Sequence, residues 1–274
     1  MSHYTVLVIN TKGNEDVEAQ LAPFNEHIEV PVYDRGIVSK KDIKQFVDYY
    51  TKKKINMYPS LQGESLSTEE LYKLKGEDWN GGSWQFRKEG IMDTSTYNPL
   101  SKWDWYQVGG RWAGSIILKP EAEKTEEPNF SWGWSEEQKL AVKEMPRVDQ
   151  ARVKDIEFVN PEAFEEAMRF WELYIDGAKP KNAKEKEMIE NVWYKKEFYT
   201  ERYKDKITYA KCQSTLSTHS VLIDGKWLEK GEMGWFGCSS ETDAEALDWE
   251  LNFYDKILKS LPEEALLTVV DCHI

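Results

Sequence analysis

Residues 4–9 read Tyr4-Thr5-Val6-Leu7-Val8-Ile9, and residues 266–271 read Leu266-Leu267-Thr268-Val269-Val270-Asp271. Short apolar runs rich in β-branched side chains, the first stopped by Asn10 and Gly13, are strands covered on both faces. A chain with such a strand near each end can lay the two side by side in one sheet. Working inward, residues 13–36 read as irregular. Ser39 with Asp42 three residues later is a helix cap, and Ile43, Phe46, Val47 and Tyr50 predict a helix over residues 40–54. From the other end, Ser220-Val221-Leu222-Ile223 meets the turn Asp224-Gly225 and returns through Lys226-Trp227, a hairpin, before Ser240 caps a helix over residues 241–260.

Between these ends, Asn160-Pro161 starts a helix with Phe164, Met168, Trp171 and Ile175 on one face and Gly177 at its stop. A second helix is predicted over residues 184–203, with Met188, Ile189, Val192 and Trp193 inward. The order of elements predicts an α+β protein: a ferredoxin-like (split βαβ) antiparallel sheet with helical and loop insertions. It is expected to form a single domain over residues 1–274 with insertions at 58–96 and 120–210, of which residues 58–96, rich in Gly, Ser, Asn and charge, and the Glu-rich residues 120–150 read as long loops.

The 274 residues are 40% hydrophobic and 31% charged, which suits a core with a solvated surface, and the formal charge of −13 excludes a broad footprint on duplex nucleic acid. The apolar runs are too short to span a bilayer, and no charged start leads into a long apolar stretch. The expectation is therefore a cytoplasmic protein without a membrane partner. Cys212, Cys238 and Cys272 are odd in number and widely spaced, as reduced, buried thiols would be.

The densest chemical signal is Lys102-Trp103-Asp104-Trp105-Tyr106-Gln107-Val108-Gly109-Gly110-Arg111-Trp112, read as a hairpin reversing at the glycine pair. Indole planes beside a guanidinium suit a nucleobase joined to a phosphate. On this expectation Trp103, Trp105, Tyr106 and Trp112 form a stacking wall. Lys102 and Arg111 contact phosphate, and the Gly109 and Gly110 amides approach the anion. Lys226, Trp227, Glu232 and Trp235 supply the opposite wall, and no cofactor or metal is required. The plain alternative is that the aromatics are core and cross-strand packing, with Arg111 paired to Asp104 or another acid.

Ser2-His3-Tyr4-Thr5-Val6, Lys102-Trp103-Asp104-Trp105-Tyr106 with Gly109-Gly110-Arg111-Trp112, Gly225-Lys226-Trp227 with Gly231-Glu232-Met233-Gly234-Trp235, and Leu267-Thr268-Val269-Val270-Asp271-Cys272-His273-Ile274 resemble a largely uncharacterised protein family of phages and bacterial genomes. The resemblance implies a phage-like setting, in the host cytoplasm if phage-encoded, and no particular reaction. By analogy, the first expectation is a counter-defence protein that binds and sequesters a small nucleotide-like anion without turning it over.

Two other functions compete. His3-Tyr4-Thr5 has the His-x-Thr form of two-histidine phosphoesterases, with the second copy missing. If the terminal strands are adjacent, His3, Thr5 and His273 become candidate catalytic residues of a nucleotide phosphodiester-processing enzyme. With Asp271, the two histidines are alternatively metal ligands. The third function is inhibition of a host protein through Trp79, Trp84, Trp132 and Trp134, since interface hot spots favour Trp. A homo-oligomer is the remaining partner expectation.

Overall fold

The computed structural model describes residues 2–12, 16–57, 82–190 and 192–274. In chain order its strands are β1 (His3–Asn10), β2 (Tyr33–Ile37), β3 (Gly82–Arg87), β4 (Gly90–Ser95), β5 (Trp105–Val108), β6 (Ile116–Ile117), β7 (Arg147–Val148), β8 (Gln150–Arg152), β9 (Ser220–Ile223), β10 (Lys226–Glu229) and β11 (Leu266–His273). Two compact units result, one from Met1–Ala22 with Trp103–Ile274 and one from Pro23–Lys102.

In the first unit the terminal strands pair with each other. β1 and β11 are antiparallel along their whole length, from His3 opposite His273 to Asn10 opposite Leu266. Both are buried on both faces over most of their residues. The sheet order is β10-β9-β1-β11-β5, and β8 continues the β5 edge along the other end of β11.

The protein is α+β, but this sheet is mixed rather than antiparallel. β1 and β9 are parallel and directly bonded, so no third strand splits the crossover between them. The strand sequences give the reason. Ser220-Val221-Leu222 is buried on both faces, whereas Lys-Trp-Leu-Glu in β10 alternates with exposure. The hairpin therefore sets its apolar strand beside β1 and its amphipathic strand at the edge. Leu7, Ile9, Val221, Leu267 and Val269 meet Phe253 and Leu258, which follow the helix start at Asp243, in one core.

Residues 103–118 do not form the expected hairpin. β5 pairs with β11, the chain turns at Gly109-Gly110, and Ile116–Ile117 pairs with Arg147–Val148. Central-strand pairing over Trp105–Val108 wins over local return because β11 offers an unfilled apolar edge. The loop assigned to residues 120–150 contains a helix, Glu136–Lys143, started by a Ser135/Gln138 capping box. Residues 184–203 hold two helices, Ala183–Glu190 and Lys196–Tyr203, and Trp193 between them is exposed rather than inward. Asn160 caps Pro161–Tyr174 as predicted, while Thr242, not Ser240, caps Asp243–Phe253 with Glu245. Cys272 is buried, but Cys238 is exposed.

The second unit is a three-stranded sheet ordered β2-β4-β3 with the helix Lys40–Met57. Ser39 and Asp42 cap that helix as predicted. Residues 82–95, expected as loop, are the β3–β4 hairpin, and Tyr33–Ile37 is a strand where irregular chain was expected. Trp79 and the rest of residues 58–81 lie outside the described residues. Among the described residues no helix is long and apolar enough to cross a membrane.

Candidate functional site

Side chains alternate along a strand, so His3, Thr5, Leu7 and Ile9 share one face of β1. The antiparallel register places them opposite His273, Asp271, Val269 and Leu267. That face is apolar in the core and turns polar at the end where the chain termini meet. The polar end carries two facing pairs, Thr5 with Asp271 and His3 with His273. β5 extends it, with Trp105 opposite His273 and Gln107 opposite Asp271.

The two imidazoles meet edge to face, with ring centroids 4.9 Å apart. Each has its own carboxylate. His3 Nδ1 lies 2.8 Å from Asp271 Oδ1, and His273 Nδ1 lies 2.6 Å from Asp104 Oδ1. An ionised carboxylate only accepts hydrogen bonds, so against ionised Asp271 and Asp104 each Nδ1 is the donor and each Nε2 is the acceptor of its ring. Asp271 is fully buried, and its other oxygen accepts the Arg111 backbone N–H at 3.0 Å. The Asp104 backbone N–H in turn donates to the His273 carbonyl at 3.0 Å, which ties the second carboxylate to its imidazole.

Of the dyad residues His3 alone lines a cavity of about 280 Å³, together with Thr5, Trp112, His219, Lys230, Trp249 and Glu250 among others. Thr5 Oγ1 accepts the His219 backbone N–H at 3.0 Å, which leaves the hydroxyl proton free to donate. Burial, aided by the Lys230 ammonium and opposed by Glu241 and Glu229, holds the His219 imidazole below its ordinary value. Its Nε2 is buried without a partner. Tyr4, on the opposite face, is pushed far above the ordinary phenol range, chiefly by burial. Among the described residues no group of three or more His, Cys, Asp or Glu is arranged to hold a metal ion.

The expected stacking wall is divided. Trp103 is sealed in the interior, with Nε1 donating to the Leu21 carbonyl and its ring edge-on to Tyr106. Trp105 is exposed and stands 6.1 Å from His3. Trp112 packs against the core and lines the cavity beside His3. Tyr106 shares the other face with Cys272. Arg111 is not paired with Asp104, and among the described residues its guanidinium has no acidic partner. The Gly109 and Gly110 amides are not open to an anion, since they donate to Val269 and Asn129 carbonyls at 2.9 and 2.8 Å.

Lys102 belongs to the second unit, where its N–H donates to Phe24. On the expected opposite wall, Trp227 packs edge-on to Tyr4 and its Nε1 donates to Glu229. Lys226 and Glu232 are exposed, and the Trp235 side chain lies outside the described residues. His27 lies in the second unit beside Glu26.

The contribution of Asp104 was missed by sequence reasoning, which treated it only as an acid for Arg111. It sits in the bend before β5, outside the alternating strand, and the bond of its N–H to the His273 carbonyl places it, so strand periodicity carries no signal for it. Comparison with protein-family models, curated proteins and solved structures returns no match.

Proposed function

We propose that the chain is an acid–base enzyme that processes a phosphodiester of nucleotide type. One observation carries this: His3 and His273 face each other across β1 and β11, each with Nδ1 on its own carboxylate. Phosphodiester cleavage requires a proton to leave the attacking hydroxyl as the new P–O bond forms. It requires another to reach the leaving oxygen as the old bond breaks. Two imidazoles with unbonded Nε2 atoms supply both transfers, one as base and one as acid.

Asp271 and Asp104 fix the tautomers and stabilise whichever ring is protonated. The Thr5 hydroxyl is placed to donate to a phosphoryl oxygen. His3-Tyr4-Thr5 resembles one half of the two-histidine phosphoesterase pattern, and Asp271-Cys272-His273 stands where a second copy is expected. An anionic substrate is further supported by Arg111, whose charge no described acid neutralises.

The test is mass spectrometry of products after incubation with cyclic and linear dinucleotides. Turnover is expected for the parent, and His3→Ala and His273→Ala are each expected to lose about 10²–10⁴-fold in rate with the fold intact by circular dichroism. Capture without turnover, the counter-defence reading, is favoured by the unpaired Arg111. It replaces the enzymatic proposal if the parent leaves every substrate intact and releases an unchanged nucleotide on heating. Co-purification of a host protein with no nucleotide present overturns both.

A further inference from the structure

A second groove, of about 330 Å³, is lined by Arg111, Ser131, Trp132, Gly133, Trp134 and Gln138. We infer that this groove is a nucleotide subsite, in which Trp132 and Trp134 take the planar base and Arg111 takes the phosphate. Its use by the acid–base site rests on the enzymatic proposal, but ligand binding here does not.

The groove is anchored by backbone and indole bonds. Gly110 N–H donates to Asn129 at 2.8 Å, and Ser131 N–H returns to the Gly110 carbonyl at 3.2 Å, which lays residues 129–131 alongside the glycine turn. Trp134 Nε1 donates to the same carbonyl at 3.1 Å, and its ring meets Phe130 edge to face. Trp134 is thereby oriented. Trp132 is not: at 93% exposure it is a whole indole in solvent, and no described side chain stacks on it.

A single exposed indole is ordinary on a protein surface, and what singles this one out is its neighbour. Beside it stands a guanidinium with no acidic partner among the described residues, in a chain of net charge −13. In so acidic a chain an unneutralised Arg in a groove favours an anion. An aromatic plane and a forked cation in one groove select a ligand that is flat at one end and anionic at the other. Its volume lies at the lower end of the range, roughly 300–1,000 Å³, that holds small ligands.

The groove adjoins the dyads through one peptide unit. The Gly110 carbonyl faces the groove residues Ser131 and Trp134, while the Arg111 N–H of the same peptide donates to Asp271. The two groups of this trans peptide point opposite ways, so the groove and Asp271 lie on opposite sides of it.

Calorimetric titration of the His3→Ala/His273→Ala double variant with AMP, GMP, CMP and UMP tests this without turnover. At least one nucleotide is expected to bind, with ribose 5-phosphate and the matching nucleoside each at least tenfold weaker. Trp132→Ala should reduce nucleotide affinity to near that of ribose 5-phosphate, and Arg111→Ala to near that of the nucleoside. Absence of binding by all four nucleotides, or unchanged affinity in both groove variants, overturns the inference even if the parent turns over dinucleotides. Binding lost as described, with no turnover by the parent, keeps the subsite and removes the enzyme.

Discussion

At the scale of single residues, Gly109 and Gly110 exist for two buried carboxylates. Both have positive φ, +73° and +61°, a region that side-chain-bearing residues rarely adopt. A Cβ on Gly110 would stand 2.6 Å from the Asp271 side chain, and one on Gly109 would collide with that of Asp149. Gly110→Ala is therefore expected to cost about 1–3 kcal/mol and to displace Asp271 from His3. Urea denaturation reads the first effect and loss of turnover the second; a variant equal to the parent in both would show that the carboxylate has room to move. The glycine pair was legible as a reversal, because its conformational freedom is local. Its purpose was not, because Asp149 and Asp271 reach it from distant segments.

At the scale of elements, Asp149 fastens three segments where β5 hands over to β8 along β11. Its carboxylate accepts the Gly114 N–H at 2.7 Å and the Asn129 N–H at 2.6 Å, and its carbonyl accepts from Val269 at 2.8 Å. Burial raises the carboxyl above its ordinary value, with the two N–H donors pulling the other way. Asp149→Asn turns one acceptor into a donor facing an N–H and is expected to cost about 1–3 kcal/mol. Hydrogen exchange should show new opening at Gly114 and Asn129; unchanged protection there would contradict this role. The terminal strands and the 220–229 hairpin were legible because patterning and a two-residue turn fix them locally. The neighbours of β5 and β9 were not. Which strand sits beside β1 is decided by competition for burial across the whole sheet, and residues 103–118 lost their local hairpin in the same way.

At the scale of the whole molecule, acid stability is the property the buried histidine sets. His219 is held below the ordinary imidazole value of 6.5, chiefly by burial. The unfolded chain therefore binds a proton more readily than the folded one. The stability His219 contributes is complete above pH 6.5 and is lost as pH falls from there towards the folded value. Denaturant midpoints should fall between pH 7.5 and pH 5.5, and His219→Gln should make that fall shallower. An unchanged slope would mean that other groups carry it.

The pairing of the chain's ends into one polar face was partly legible. His-x-Thr near one end and Asp-x-His near the other become complementary once β1 and β11 are antiparallel, and the register puts histidine against histidine. Asp104 and the Trp132 groove were hidden, because loop contacts rather than strand alternation position them.

The central claim is that His3 and His273 form one proton-exchanging pair. The pH dependence of kcat/KM on a nucleotide phosphodiester tests it most directly. A bell-shaped profile is predicted for the parent, since one imidazole must be neutral and the other protonated, with the bell lost in His3→Ala and in His273→Ala. A profile that stays bell-shaped in both variants, at the parental rate, would contradict it.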